Sequence, residues 1–136
     1  MPELPEVETV RRTLETAIIG KKIEKVHLFL PKLVLPLGAD EFTAKVEGST
    51  ILGIGRRGKY LLVELSSSFT LIISLRMTGR LVFVPSGQEV ERDKHTHLIF
   101  EFDDGSSLYF NDIRKFGTMH CVPGNCVETC PEIAKL

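Results

Sequence analysis

The sequence predicts a mainly β fold with α elements: a two-layer β-sandwich or flattened barrel of about eight strands, flanked by an N-terminal helix and a second short helix. Three observations lead to it. Apolar residues recur at helical spacing only in two early stretches, around Val7–Ile18 and Phe42–Val46. From Ile51 onward the apolar runs are as short as strands, and Gly, Asp and Ser separate them. Helices and strands do not alternate, which excludes a doubly wound parallel sheet. At 136 residues the chain fits one domain able to bury a core, and no internal repeat divides it.

Taken in order, residues 5–18 read as a helix, with Val7, Val10, Leu14 and Ile18 on one face. Pro5 suits the first turn, where its missing N–H costs nothing, and Gly20 ends the helix. Glu8 with Arg12, and Arg11 with Glu15, are spaced to pair along it. The positive end of the helix dipole lies beside Glu3 and Glu6. Ile23 to Phe29 is a first strand. Asp40 to Val46 is the short helix, with Asp40 as its expected cap, Phe42 and Val46 inward, and Gly48 closing it. Further strands are expected at 51–54, 60–65, 71–75, 81–84, 96–102, 107–110 and 116–122. Gly55-Arg-Arg-Gly58 reads as a turn, and Asp103-Asp-Gly105 as a hairpin. Residues 85–94 and everything from Pro123 onward read as mobile loops. The domain is expected to occupy 1–122, with 123–136 as a tail.

Composition describes an ordinary globular protein, 43% hydrophobic and 26% charged. The most apolar stretch, Phe69–Leu75, is too short to span a membrane and contains Thr70 and Ser74. The start is acidic, unlike a signal peptide, so a cytoplasmic location is expected. A net charge of -1 does not favour a nucleic-acid partner. The charge is uneven, however: residues 1–60 hold ten Lys/Arg against eight Asp/Glu, and Arg56, Arg57 and Lys59 cluster. Cys121, Cys126 and Cys130 can be drawn with His120 as a zinc site, but no Cys-x-x-Cys pair exists. Three reduced thiols and no metal are expected.

One residue stands out chemically. If Met1 is trimmed, Pro2 becomes a terminal secondary amine, with a reference pKa of about 7.7–8.0 that leaves part of it unprotonated at neutral pH. Such an amine can attack an electrophilic carbon and form an iminium without any lysine. Glu3 follows directly and can shuttle protons. If Met1 is retained, the proline nitrogen is an amide and this chemistry is lost.

Four motifs, in order, span nearly the whole chain: Met1-Pro-Glu-Leu-Pro-Glu-Val-Glu-Thr-Val10, Arg57-Gly-Lys-Tyr60, Leu75-Arg-Met-Thr-Gly79 and Asn111-Asp-Ile-Arg-Lys-Phe-Gly117. Together they resemble the amino-terminal catalytic domain of the formamidopyrimidine-DNA glycosylase family. Leu4 fits its purine-repairing branch; the endonuclease VIII branch usually has glycine there. The resemblance implies a bifunctional glycosylase and AP lyase acting in base-excision repair. Its partner is double-stranded DNA carrying 8-oxoguanine, a ring-opened purine or an abasic site. Pro2 is then the nucleophile at C1′, Glu3 the proton-transfer residue, and Lys59 the catalytic lysine. Met77, Arg114 and Phe116 are the residues that fill the void left by the extruded base. On spacing alone, Met77 and Phe116 read better as core residues. Arg56, Arg57 and Arg76 are candidate phosphate contacts; Arg12, Arg80 and Lys115 are weaker candidates.

Two departures qualify the match. Ser74 stands where the family usually has a phosphate-contacting histidine, which lowers the expected phosphate affinity. The resemblance covers only the amino-terminal half of the family's chain. The remaining half, a helix–two-turn–helix segment and a four-cysteine finger with a structural zinc, grips the DNA backbone. The tail at 123–136 corresponds to the start of the linker toward it, and no cofactor is expected in the sequence at hand. Weak or no activity is expected without that half. The alternative is a catalytically inactive DNA- or protein-binding fragment of the same fold.

Overall fold

The structure is a computed structural model, and it describes residues 4–88 and 90–134. Helix α1 (Leu4–Ile18) leads into strand β1 (Ile23–Leu28), a 3-10 turn (Pro31–Val34) and helix α2 (Ala39–Val46). Strands β2 (Ile51–Arg57), β3 (Tyr60–Leu65), β4 (Phe69–Ser74), β5 (Gly79–Val84), β6 (Thr96–Phe102), β7 (Ser107–Asp112) and β8 (Thr118–Pro123) follow. A 3-10 stretch (Gly124–Thr129) and helix α3 (Pro131–Ala134) end the described chain.

The eight described strands form two antiparallel four-stranded sheets, ordered β1-β6-β7-β5 and β2-β3-β4-β8. This is the expected sandwich. Its core follows the strand period of two, which sends alternate side chains inward. Leu98, Phe100, Phe102, Leu108 and Phe110 come from the first sheet, and Leu61, Val63, Leu65, Leu71 and Ile73 from the second. A bridge between Lys22 and Thr50 links the sheets at one corner. Helix α1 packs on β2, β3 and β5 and so touches both sheets, burying Val7, Leu14 and Ile18. Helix α2 lies against β1, and the first 3-10 turn against β8.

The structure corrects several local expectations. Helix α2 starts earlier, at Ala39, and its cap is Gly38 with no side-chain cap bond. The Gly38 carbonyl accepts the Phe42 N–H at 2.9 Å, which places Asp40 inside the first turn. There its charge still faces the positive end of the helix. Strand β2 runs on through Arg57, because Gly55 pairs with Leu62 and Arg56 with Leu61. The turn is reduced to Gly58–Lys59, and Gly58 takes the positive φ, 57°, that a two-residue hairpin needs. Strand β8 begins at Thr118, so Phe116 lies in the loop before it.

The stretch after Pro123 is not irregular. Its 3-10 turn and α3 seat Cys130 and Ile133 on Ile72, on the outer face of the second sheet. Strand β4 explains why: Thr70 to Ser74 are all buried, and a strand buried on both faces requires cover on both. Segment 85–95 has no helix or strand among its described residues.

Candidate active site and nucleic-acid interface

Two loops carry most of the expected DNA-contacting residues. The first, Leu75 to Gly79, links β4 to β5. Arg76 adopts a left-handed φ of 52°, and the Gly79 N–H donates to the Leu75 carbonyl at 2.8 Å. A Cβ on Gly79 would lie 2.5 Å from that carbonyl oxygen, so this turn requires glycine. The turn throws Met77 outward, 54% exposed, which removes the core alternative for it. The second loop, Ile113 to Gly117, links β7 to β8, with Lys115 at a left-handed φ of 61°. Phe116 is 53% exposed and is likewise not core, and Ile113 beside it is 65% exposed. Arg114 Nη1 lies 3.4 Å from Met77 Sδ, so the loops meet at their tips.

At their base the loops share Asp112, a buried carboxylate at the end of β7. Its Oδ1 accepts the Thr78 hydroxyl and, at 3.2 Å, the Arg114 N–H. Its Oδ2 accepts the Gly117 N–H at 2.7 Å. The Asp112 N–H donates to the His95 carbonyl at 2.9 Å, and buried His97 Nε2 lies 2.6 Å from the Asp112 carbonyl oxygen. The sequence reading missed Asp112 and Thr78. An Asn-Asp pair after a strand signals a turn, but burial of the aspartate is not written in the local sequence.

Lys59 sits half-buried at the tip of the β2–β3 hairpin. Arg56 Nε donates to Glu8 Oε1 at 3.0 Å, which ties this hairpin to α1 about one turn from the start of the helix. Glu8 also holds Arg11 and Arg12, and its carboxyl, with Arg11 the largest cause and Arg56 next, titrates far below the usual carboxylate range. Arg57 points to the opposite face of β2, as neighbouring strand residues must, and pairs with Glu128. The hydrogen-bonded pairing raises the pKa of the Arg57 guanidinium and lowers that of the Glu128 carboxyl. The basic cluster is therefore split, and both arginines are engaged by carboxylates. Pro2 and Glu3 lie outside the described residues.

Ser74, Arg76 and Phe116 line one cleft of about 220 Å³ together with Tyr60, Thr118 and His120. Met77 lines another, of about 590 Å³, with Glu6, Arg80 and Asn111. Ser74 is buried, with its strand paired on both sides to Tyr60 and Thr118. Arg12 is taken up by Glu8, at 2.9 Å, and Lys115 is exposed.

The structural zinc implied by the family resemblance finds no matching donor set here. Cys121 and Cys130 are buried and Cys126 is exposed, and burial pushes the Cys121 thiol up to about 11. Among the described residues, no group of three His, Cys, Asp or Glu is placed to hold a metal ion.

Freeing Arg57 offers a test of whether its face meets DNA. Glu128→Gln is expected to raise affinity for an undamaged duplex by about two- to threefold at low salt, since exposed ion pairs are weak. Fluorescence anisotropy measures this, and no change would remove Arg57 from the contact surface.

Solved structures resemble the chain closely. It superimposes with a TM-score of 0.87 on a MutM in complex with DNA containing carbocyclic 8-oxo-G, at 42% identity, covering 94% of this chain and 47% of that one. Against the Lactococcus lactis formamidopyrimidine-DNA glycosylase bound non-covalently to DNA with an AP site, the TM-score is 0.88 at 42% identity, over 98% of this chain and 49% of the other. The class is thus the two-sheet fold that makes up about half of each of these DNA-bound chains. Residues 1–119 match the formamidopyrimidine-DNA glycosylase N-terminal domain family, and the chain belongs to that family. The formamidopyrimidine-DNA glycosylase of Pelotomaculum thermopropionicum is 46% identical over 136 residues, all of this chain and 49% of that protein. That of Carboxydothermus hydrogenoformans is 51% identical over 117 residues, 86% of this chain and 43% of that protein. The chain spans about half the length of the curated relatives it matches.

Proposed function

We propose that this chain is the catalytic domain of a DNA glycosylase and AP lyase that removes 8-oxoguanine and formamidopyrimidines from duplex DNA. The observation that carries the reading is the pair of loops that present Met77, Arg114 and Phe116 to solvent while meeting at their tips. A flexible thioether, a forked guanidinium and an aromatic wedge are suited to fill the space a flipped nucleotide leaves and to bond its orphaned partner.

In this mechanism the Pro2 amine attacks C1′ of the damaged nucleotide, and the base departs with the electrons of the glycosidic bond. Glu3 transfers the proton that opens the sugar, giving an iminium between protein and strand. β-Elimination and then δ-elimination cut the strand on both sides of the lesion. Lys59 supplies positive charge where negative charge develops. Arg56, Ser74 and Arg76 contact phosphates, and Arg57, on the opposite face of β2, is the further contact that Glu128→Gln tests. This reading puts the protein in the cytoplasm, on the nucleoid when bound; no described helix is long and apolar enough to cross a membrane. The helix–two-turn–helix and zinc-finger half that the family resemblance implies would add backbone contacts, raising affinity and steepening its dependence on salt.

Borohydride reduction in the presence of abasic-site duplex tests the chemistry, using protein whose intact mass proves that Met1 is gone. A covalent adduct is expected at low salt. Absence of the adduct while the duplex still binds would leave the second reading, a non-catalytic binding fragment. That reading has its own observation: both hairpin arginines are already paired with carboxylates.

A further inference from the structure

We propose that Asp112 is a positioning residue that makes the 75–79 and 113–117 loops a single unit, fixing Met77, Arg114 and Phe116 relative to one another. The inference rests on the glycosylase reading for its consequence in DNA recognition, but its structural part stands apart from it.

The chemistry of the site selects a carboxylate. Three donors converge on one buried side chain: the Thr78 hydroxyl, the Arg114 N–H at 3.2 Å and the Gly117 N–H at 2.7 Å. Thr78 belongs to one loop, the other two donors to the second. An ionised aspartate only accepts, so it can satisfy all three. An asparagine of the same shape must turn its NH₂ toward Gly117 or toward Arg114, leaving one buried amide facing a donor. The fit is tight on the Gly117 side, where a Cβ would lie 2.9 Å from Asp112 Oδ2 and 2.6 Å from Phe110 Cζ.

The backbone of Asp112 is fixed as firmly as its side chain. Its N–H and C=O are taken by His95 and His97, the latter buried. Strand β7 therefore holds the hub, and the hub holds both loops. Each loop also keeps a non-glycine residue in the left-handed region, Arg76 and Lys115, a conformation that persists only where surrounding contacts over-determine it. Thr78 and Arg114 bond in addition to each other, Arg114 N–H to Thr78 Oγ1 at 3.2 Å, which closes the network without touching Met77 or Phe116. A ligand that presses on one loop is then felt by the other.

The test uses the chain with Asp112→Asn, Thr78→Val and Thr78→Ser, and two readouts. The first is amide hydrogen exchange at Arg114 and Gly117, compared with core amides at Leu61 and Phe100. The second is the ratio of affinities for abasic-site and undamaged duplex at one salt concentration. Asp112→Asn and Thr78→Val are expected to speed loop exchange at least about tenfold with core exchange unchanged, and to lower the ratio about tenfold while the undamaged-duplex affinity moves less than about threefold. Thr78→Ser keeps the hydroxyl and is expected to restore the ratio to within about twofold. Parallel loss of core protection, or an unchanged loop exchange in both Asp112→Asn and Thr78→Val, would overturn the proposal. If the unaltered chain shows no preference for abasic DNA, the glycosylase reading fails, and the exchange data alone still decide whether Asp112 couples the loops.

Discussion

Replacing Gly117 with alanine is expected to destabilise the domain by about 3 kcal/mol, a large share of the ~5–15 kcal/mol that holds a typical domain folded. The new Cβ would meet Phe110 Cζ at 2.6 Å, Asp112 Oδ2 at 2.9 Å and the Ser74 carbonyl oxygen at 3.0 Å. None of these can give way cheaply. Phe110 is fully buried in the first sheet, the Ser74 carbonyl belongs to β4, and Asp112 is held by both loops. Overpacking of this kind costs roughly 1–3 kcal/mol, and a shift of Gly117 would also strand one buried carboxylate oxygen, at roughly 1–3 kcal/mol more. Gly55→Ala is the matched control. A Cβ there has nothing within 4 Å and lies in a regular strand, so alanine is expected to be neutral or stabilising. Urea melts of the two variants decide the matter. Equal midpoints would show that the 113–117 loop relaxes freely and that the crowding has no energetic consequence.

The contrast between these two glycines also shows where sequence was informative. Both are glycines in or beside strands, and nothing local distinguishes them. What separates them is a neighbour from another strand, which only the packed sheets supply. The same holds for Asp112. Its position after an apolar strand marks a turn, but one of the donors it accepts from, Thr78, lies thirty-four positions away in sequence. By contrast, the sandwich itself was legible, because alternating apolar residues in β3, β6 and β7 carry the period of two wherever one face is covered. Strand β4 breaks that alternation. Its consecutive Leu71, Ile72 and Ile73 anticipate cover on both faces, and the helical turns after Pro123 provide the outer one, over Ile72. Those turns were missed because Gly124-Asn-Cys-Val-Glu-Thr129 has no amphipathic period of its own.

Charge was the least legible property. Arg56 and Arg57 are adjacent in sequence and invite reading as one patch. Adjacent strand residues point to opposite faces, and each face here already holds a carboxylate, Glu8 or Glu128. Any phosphate contact by these arginines is thus an exchange of one anion for another, with a smaller gain than a free guanidinium would give. Spacing also misplaces Met77 and Phe116, since a methionine and a phenylalanine at strand ends read as core and both are exposed. Their loop geometry resolves it: a glycine that admits no Cβ at position 79, and a strand that starts two residues after Phe116.

Lys59→Ala is expected to slow formation of the borohydride-trapped adduct by about a hundredfold or more at saturating DNA, the size of effect that follows loss of a preorganised charge at a reacting centre. The local structure holds the lysine at a defined position. It sits at the tip of a two-residue turn whose shape Gly58 fixes, so its backbone has little freedom. The hairpin is anchored to α1 by Arg56 and Glu8, and α1 begins at Leu4, two residues after the proline. That anchor holds the hairpin carrying Lys59 against α1 about one turn from the start of the helix. The competing account makes Lys59 a phosphate-binding residue only. The two separate in the dependence on DNA concentration. Removing a cation that only binds phosphate weakens affinity, reduces its salt dependence by about one ion, and is overcome by adding more duplex. Removing a charge needed at the reacting sugar lowers the maximal rate, and more duplex does not restore it. Lys59→Arg sharpens the distinction, because the guanidinium keeps the charge but spreads it over a planar fork. Under the phosphate account it should restore affinity and rate together; under the catalytic account it should restore affinity while the maximal rate stays depressed.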